Sequence, residues 1–210
     1  HLMFDFVCNH MSAKSEWFKN YLQQQPGFED FFIAVDPQTD LSAVTRPRAL
    51  PLLTPFQMDD NSTRHLWTTF SDDQIDLNYR SPEVLLAMVD VLLCYLEKGA
   101  EYVRLDAVGF MWKEPGTNCI HLEKTHLIIK LLRSIIDDVA PGTVIITETN
   151  VPHKDNIAYF GNGDDEAHMV YQFSLPPLVL HAVQKQNVEA LCAWAQNLTL
   201  PSSNTTWFNF

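Results

Sequence analysis

The stretch VRLDAVGF (103–110) places two charges inside an apolar run. Side chains on a strand alternate between faces, so Arg104 and Asp106 share one. Two chemistries fit that pair. One is a buried structural ion pair. The other is a carboxylate nucleophile kept ionised by a neighbouring guanidinium. A second acid, Glu148, closes the apolar run VIITE (144–148), roughly one βα repeat further on. Asn9 and His10 follow the opening run HLMFDFVC. Two carboxylates facing one cleft fit glycoside chemistry. At roughly 5–5.5 Å one attacks the anomeric carbon while the other protonates the leaving oxygen. Asp106, beside Arg104, is expected to stay ionised. Glu148 follows four apolar or β-branched residues, and desolvation there would raise its pKa and suit it to general acid work. A helix cap or a strand-end salt bridge accounts for any one of these residues alone. It accounts less well for three successive strand ends.

The elements that must position them are legible. A helix is expected after Ser81-Pro82, ending at Gly99, with Leu85, Leu86, Val89, Leu92, Leu93 and Leu96 as its apolar stripe. A second runs from about His121 to Val139 and stops at Pro141-Gly142, with Leu127, Ile128, Leu131, Leu132, Ile135 and Ile136 inward. Strands are expected over 102–108, 144–148, 168–173 and near the closing TWFNF, with short helices near 153–160, 176–185 and 187–197. The stretch 11–79 is irregular and rich in Pro, Asp, Thr and Gln, so it reads as a small inserted subdomain. Continuously apolar strands alternating with helices mean a parallel sheet covered by helices. A doubly wound sheet and an eight-stranded barrel both fit that order. No G-x-G-x-x-G or Walker-type loop follows a strand, which weakens a nucleotide-binding version.

Composition narrows the partners. The chain has 210 residues, 46% of them hydrophobic, and a net charge of −12. That balance disfavours nucleic acid and anionic membranes. No apolar run reaches the roughly 18 residues of a membrane span, and no signal peptide is expected. Cys8, Cys94, Cys119 and Cys192 form no C-x-x-C pair. They read as free thiols of a reducing, cytoplasmic compartment. The sequons at Asn61, Asn197 and Asn204 read as chance matches. The chain opens and closes inside strand-like runs, so it is expected to be a fragment of a longer protein. An open barrel leaves edge strands unpaired, so these residues alone are expected to be inactive.

At this level of detail the sequence resembles the α-amylase superfamily of glycoside hydrolases. DFVCNH (5–10), VRLDAVGF (103–110) and IITETN (145–150) resemble its first three signature regions. QIDLN (74–78) resembles the further signature near the end of that family's inserted B domain. RPR (46–48), EPGTNC (114–119) and LPPLVLHAV (175–183) resemble the sucrose phosphorylase branch. The resemblance implies a partial (β/α)8 barrel, about strand 3 to strand 7, with 11–79 as its B domain. It implies Asp106 as nucleophile, forming a β-glucosyl ester, and Glu148 as acid/base. Arg104 would contact the glucosyl 2-hydroxyl and the nucleophile, and His10 would bind the 6-hydroxyl. Phe70 would wall the glucosyl site, Gln74 would line the acceptor side, and Arg48 would meet phosphate or an acidic acceptor from a loop. Asp5 would be structural.

The sequence departs from the sucrose phosphorylase pattern after the acid. Thr149-Asn150-Val151-Pro152-His153 replaces that branch's His-containing segment and is closer to relatives acting on glucosylglycerate or phosphorylated sucrose. Asn9 is a calcium ligand in many amylases, but the phosphorylase branch generally lacks that metal, so no metal or organic cofactor is expected. The family's third carboxylate is expected beyond Phe210. The implied function is reversible phosphorolysis of a small α-glucoside (sucrose, sucrose phosphate or glucosylglycerate type), with a small-molecule sugar and inorganic phosphate as partners. Two rivals remain: an α-glucoside hydrolase or transglucosidase of the same superfamily, and a non-catalytic sugar-binding relative.

Overall fold

A computed structural model describes residues 1–209. The chain forms two compact units. The first comprises His1–Phe4, Ala100–Leu105 and the chain from His126 on; the second comprises Asp5–Gly99 and Asp106–Thr125. Five strands make one sheet in the order β1 (Met3–Val7), β6 (Tyr102–Asp106), β7 (Val144–Thr147), β8 (Met169–Tyr171) and β9 (Thr206–Phe208). β6, β7, β8 and β9 pair in parallel, with Leu105 opposite Thr147, Thr147 opposite Val170 and Val170 opposite Trp207. Ile145, Ile146 and Thr147 are all buried, as a strand covered on both faces requires.

In the first unit, helix α3 (Glu123–Val139) leads into β7. Thr125, at its start, belongs to the second unit. Its inward side chains are Ile128, Ile129, Leu132 and Ile136. Leu127 is 55% exposed and Leu131 also faces out, unlike the expected stripe. α4 (His153–Asn156) runs into a 3-10 turn (Ile157–Phe160) before β8. Gly161 sits there at φ 58°, where an added Cβ would lie 2.1 Å from Asp165 Oδ1, so only glycine fits. α5 (Leu175–Lys185) and α6 (Glu189–Gln196) follow β8, close to where the sequence places them.

The second unit holds β2 (His10–Ser12), α1 (Glu16–Leu22), β3 (Leu53–Gln57), β4 (Thr63–Trp67), β5 (Gln74–Asp76) and α2 (Pro82–Glu97). The stretch 11–79 is therefore more ordered than its composition indicates. β3 and β4 form an antiparallel hairpin, and β2 pairs antiparallel with β5, His10 opposite Asp76. An aromatic cluster anchors α1: Phe18 packs edge-on against Phe32 and Phe56, and Tyr21 against Phe32. α2 begins at Pro82 behind Ser81, whose hydroxyl donates to Glu83 instead of capping a backbone N–H. Its fully buried row is Val84, Met88 and Leu92, while Leu86 is 64% exposed. β6 ends because Ala107 turns into the left-handed region at φ 50°, ahead of a 3-10 turn (Val108–Phe110).

Candidate active site

Burial along β6 alternates as the charges require. Val103 and Leu105 are buried, whereas Tyr102, Arg104 and Asp106 are half-buried on the other face. Asp106 is the last residue of β6, and Glu148 is the first residue after β7.

Within the first unit the structure brings Arg104 and Glu148 together, with Nη2 3.9 Å from Oε1. Arg104 Nε donates to the Tyr171 hydroxyl at 3.2 Å, and its guanidinium carbon lies 5.5 Å from the Tyr171 ring centre. Tyr171 is held in turn. Asn156 Nδ2 donates to its carbonyl at 2.8 Å, and the rings of Phe173 and Phe208 pack against it. Asn156 Oδ1 accepts the hydroxyl of Thr149, the residue after Glu148. Thr149 and Asn156 are both buried.

Within the second unit His10, Gln74 and Phe70 meet. Gln74 Nε2 lies 2.8 Å from His10 Nε2, and the Phe70 ring centre is 5.4 Å from the imidazole's. Phe110 packs edge-on against Phe70. Burial lowers the pKa of His10; Asp76 and Asp106 push it back up and Lys113 lowers it further. The net effect favours a neutral imidazole, which can exchange hydrogen bonds with a hydroxyl without carrying charge. Arg48 stands apart, exposed on an irregular segment ahead of β3. Asp5 is exposed on β1.

Behind His10 lies a buried ionic knot that sequence reasoning missed. Asp76 Oδ1 accepts the backbone N–H of Thr69 at 2.9 Å, and Oδ2 accepts the Thr69 hydroxyl at 2.6 Å. Oδ2 also meets Asn9 Nδ2 at 3.1 Å and Lys113 Nζ at 2.5 Å. Lys113 Nζ donates its next bond to Asn9 Oδ1 at 2.6 Å. Asp76 is wholly buried and Lys113 nearly so. Burial pulls the Lys113 pKa down, and Asp76 opposes that. Asp76 sits in the quoted motif QIDLN, so a signal for it existed. Lys113 follows Met111-Trp112 with nothing to mark it. Tyr171 and Asn156 were missed because their partners are distant in sequence.

Among the described residues, no group of three or more His, Cys, Asp and Glu side chains could hold a metal ion. All four cysteines are free thiols, Cys8 and Cys119 buried, Cys94 and Cys192 exposed. No helix among the described residues is long and apolar enough to cross a membrane.

A parallel sheet flanked by helices, with carboxylates at successive strand ends, defines a (β/α)-barrel catalytic domain in part. The chain belongs to the alpha-amylase family, whose catalytic domain matches residues 1–208. It is 97% identical over 210 residues to the glucosylglycerate phosphorylase of Escherichia coli (strain K12), covering 100% of this chain and 38% of that protein. It is 59% identical over 209 residues to the glucosylglycerate phosphorylase of Allomeiothermus silvanus, again across 100% of this chain and 38% of that protein. Among solved structures, the sucrose 6F-phosphate phosphorylase of Thermoanaerobacter thermosaccharolyticum superposes with a TM-score of 0.83 at 23% identity, over 99% of this chain and 43% of that one. The family expectation and the partial-barrel fold therefore hold. The chain spans well under half the length of these relatives.

Proposed function

We propose that the full-length protein is a retaining α-glucosyl phosphorylase acting on glucosylglycerate. The observation that carries this reading is the 97% identity, across all 210 residues, to a glucosylglycerate phosphorylase. The Thr149–His153 segment, which departs from the sucrose phosphorylase pattern, supports this substrate over sucrose.

In the proposed mechanism Asp106 attacks the anomeric carbon as the bond to glycerate breaks. Glu148 gives its proton to the departing glycerate oxygen, leaving a glucosyl ester on Asp106. Phosphate then attacks the same carbon and releases the Asp106 carboxylate. Glu148 takes the phosphate's proton, which resets both groups and yields α-glucose 1-phosphate. Arg104 holds the 2-hydroxyl and the nucleophile, and His10 binds the 6-hydroxyl. Phe70 walls the glucosyl site, Gln74 lines the acceptor side and Arg48 meets phosphate.

We assign no resident metal or organic cofactor; inorganic phosphate is co-substrate. The ammonium of Lys113 on Asn9 Oδ1 supports this, since a cation already sits on that oxygen. Residues 11–79 are read as the inserted B domain. Free thiols and the acidic charge support a cytoplasmic setting with neither nucleic acid nor membrane as partner. The test is to supply the full-length protein with glucosylglycerate and phosphate. Stoichiometric α-glucose 1-phosphate is expected. Free glucose at a rate indifferent to phosphate would identify a hydrolase instead, and absence of turnover a non-catalytic relative.

A further inference from the structure

Arginine and carboxylate side chains favour a forked pair with N–O distances near 2.8 Å. The Arg104–Glu148 pair is wider than that, with Nη2 3.9 Å from Oε1. Tyr171 restrains the guanidinium. Its hydroxyl takes the Nε–H of Arg104, and its ring lies beneath the guanidinium. The two attractions together oppose rotation toward Glu148.

We propose that Tyr171 is a positioning residue that holds the Arg104 guanidinium back from Glu148. The inference rests on the reading of Glu148 as the acid. A closed circuit of contacts fixes the geometry. Thr149, joined covalently to Glu148, donates to Asn156; Asn156 donates to the Tyr171 carbonyl; Tyr171 engages Arg104; and Arg104 faces Glu148. Because Thr149 and Asn156 are buried, strand β8 is tied to the backbone that carries Glu148. The tyrosine and the acid are therefore linked through buried hydrogen bonds, and Arg104 contacts both.

The consequence is chemical. A general acid must hold its proton in the free enzyme. A guanidinium drawn up to a carboxylate favours the ionised form and would strip the acid of its function at neutral pH. Other charged or titratable groups on the surrounding elements are Asp106 at the end of β6 and His153, Lys154 and Asp155 on α4. Arg104 and Glu148 form an ion pair at 3.9 Å, and it is the closing of this pair that Tyr171 opposes.

The experiment compares wild type with Tyr171→Phe in the full-length protein, following kcat/KM for glucosylglycerate phosphorolysis against pH. The variant keeps the ring and loses the hydroxyl. Its basic limb should move to lower pH by about one unit, and its rate at neutral pH should fall roughly tenfold, the value of one hydrogen bond to a charged group. With α-glucosyl fluoride, whose leaving group needs no proton, the loss should largely vanish. An unmoved limb, or an equal loss with the fluoride, would overturn the proposal. So would a fall in thermal midpoint with the limb unmoved, which would mark Tyr171 as merely structural. Glu148→Gln is run alongside. It should lose glucosylglycerate turnover yet still accept the fluoride. If it does not, the acid assignment has failed, which is distinct from failure of the Tyr171 role.

Discussion

Lys113 Nζ lies 2.5 Å from Asp76 Oδ2, and both side chains are withdrawn from solvent. The same ammonium reaches Asn9 Oδ1, so one charge joins the segment after β1, strand β5 and the segment after β6. Removing either partner strands the other charge in the interior, at about 3–5 kcal/mol. Lys113→Met should lower the unfolding free energy of the full-length protein by that order in denaturant titration. Adding Asp76→Asn to it should recover part of the loss. A single variant as stable as wild type would show that the pair holds nothing together.

His168 and Ile145 exchange two hydrogen bonds across β7 and β8. The Ile145 N–H donates to His168 Nδ1 at 3.0 Å, and the His168 N–H donates to the Ile145 carbonyl at 3.1 Å. An accepting Nδ1 must carry no proton. Burial lowers the pKa of His168, Arg133 lowers it further, and Asp137 partly offsets them. A depressed folded-state pKa means a contribution fully present above the unfolded value near 6.5 and lost as pH falls through the folded one. Thermal midpoints of wild type and His168→Asn should therefore converge as pH falls below about 6.5. A gap that stays constant down to acid pH would refute the tautomer.

Several parts of this arrangement were readable in the residues. Pro82, Gly99 and the Pro141-Gly142 pair punctuate helices by local backbone rules, and those helices end within a residue or two of the expected places. The apolar residues Val103 and Leu105 in β6 and the run VIIT in β7 mark both as buried strands. Which helix face turns inward was less legible. α2 and α3 carry apolar residues around more than half their circumference, so periodicity gave the width of the stripe and not its centre. Leu86 and Leu127, expected inward, face out. The Tyr171 hydroxyl and the Lys113 ammonium gave no local signal, because each is defined by partners far away in sequence.

Arg48 is exposed on its loop, so its loss should leave stability unchanged and act on phosphate alone. Arg48→Leu should raise the KM for phosphate by about tenfold, matching one charge-assisted hydrogen bond. The KM for glucosylglycerate should stay within about twofold of wild type. Equal KM values for phosphate in the two proteins would remove Arg48 from the site.

In the proposed mechanism the glucosyl group passes through a covalent ester on Asp106. The most direct measurement is mass spectrometry of the full-length Glu148→Gln protein, incubated with α-glucosyl fluoride in the absence of phosphate. The fluoride needs no acid, and an already ionised phosphate oxygen can attack without Glu148 and lose its remaining proton to solvent, so the ester should accumulate and then discharge on demand. The peptide containing Asp106 should gain the mass of one glucosyl residue, and added phosphate should release it as α-glucose 1-phosphate. Glucosyl transfer with no adduct on that peptide, or an adduct on another residue, would contradict the account.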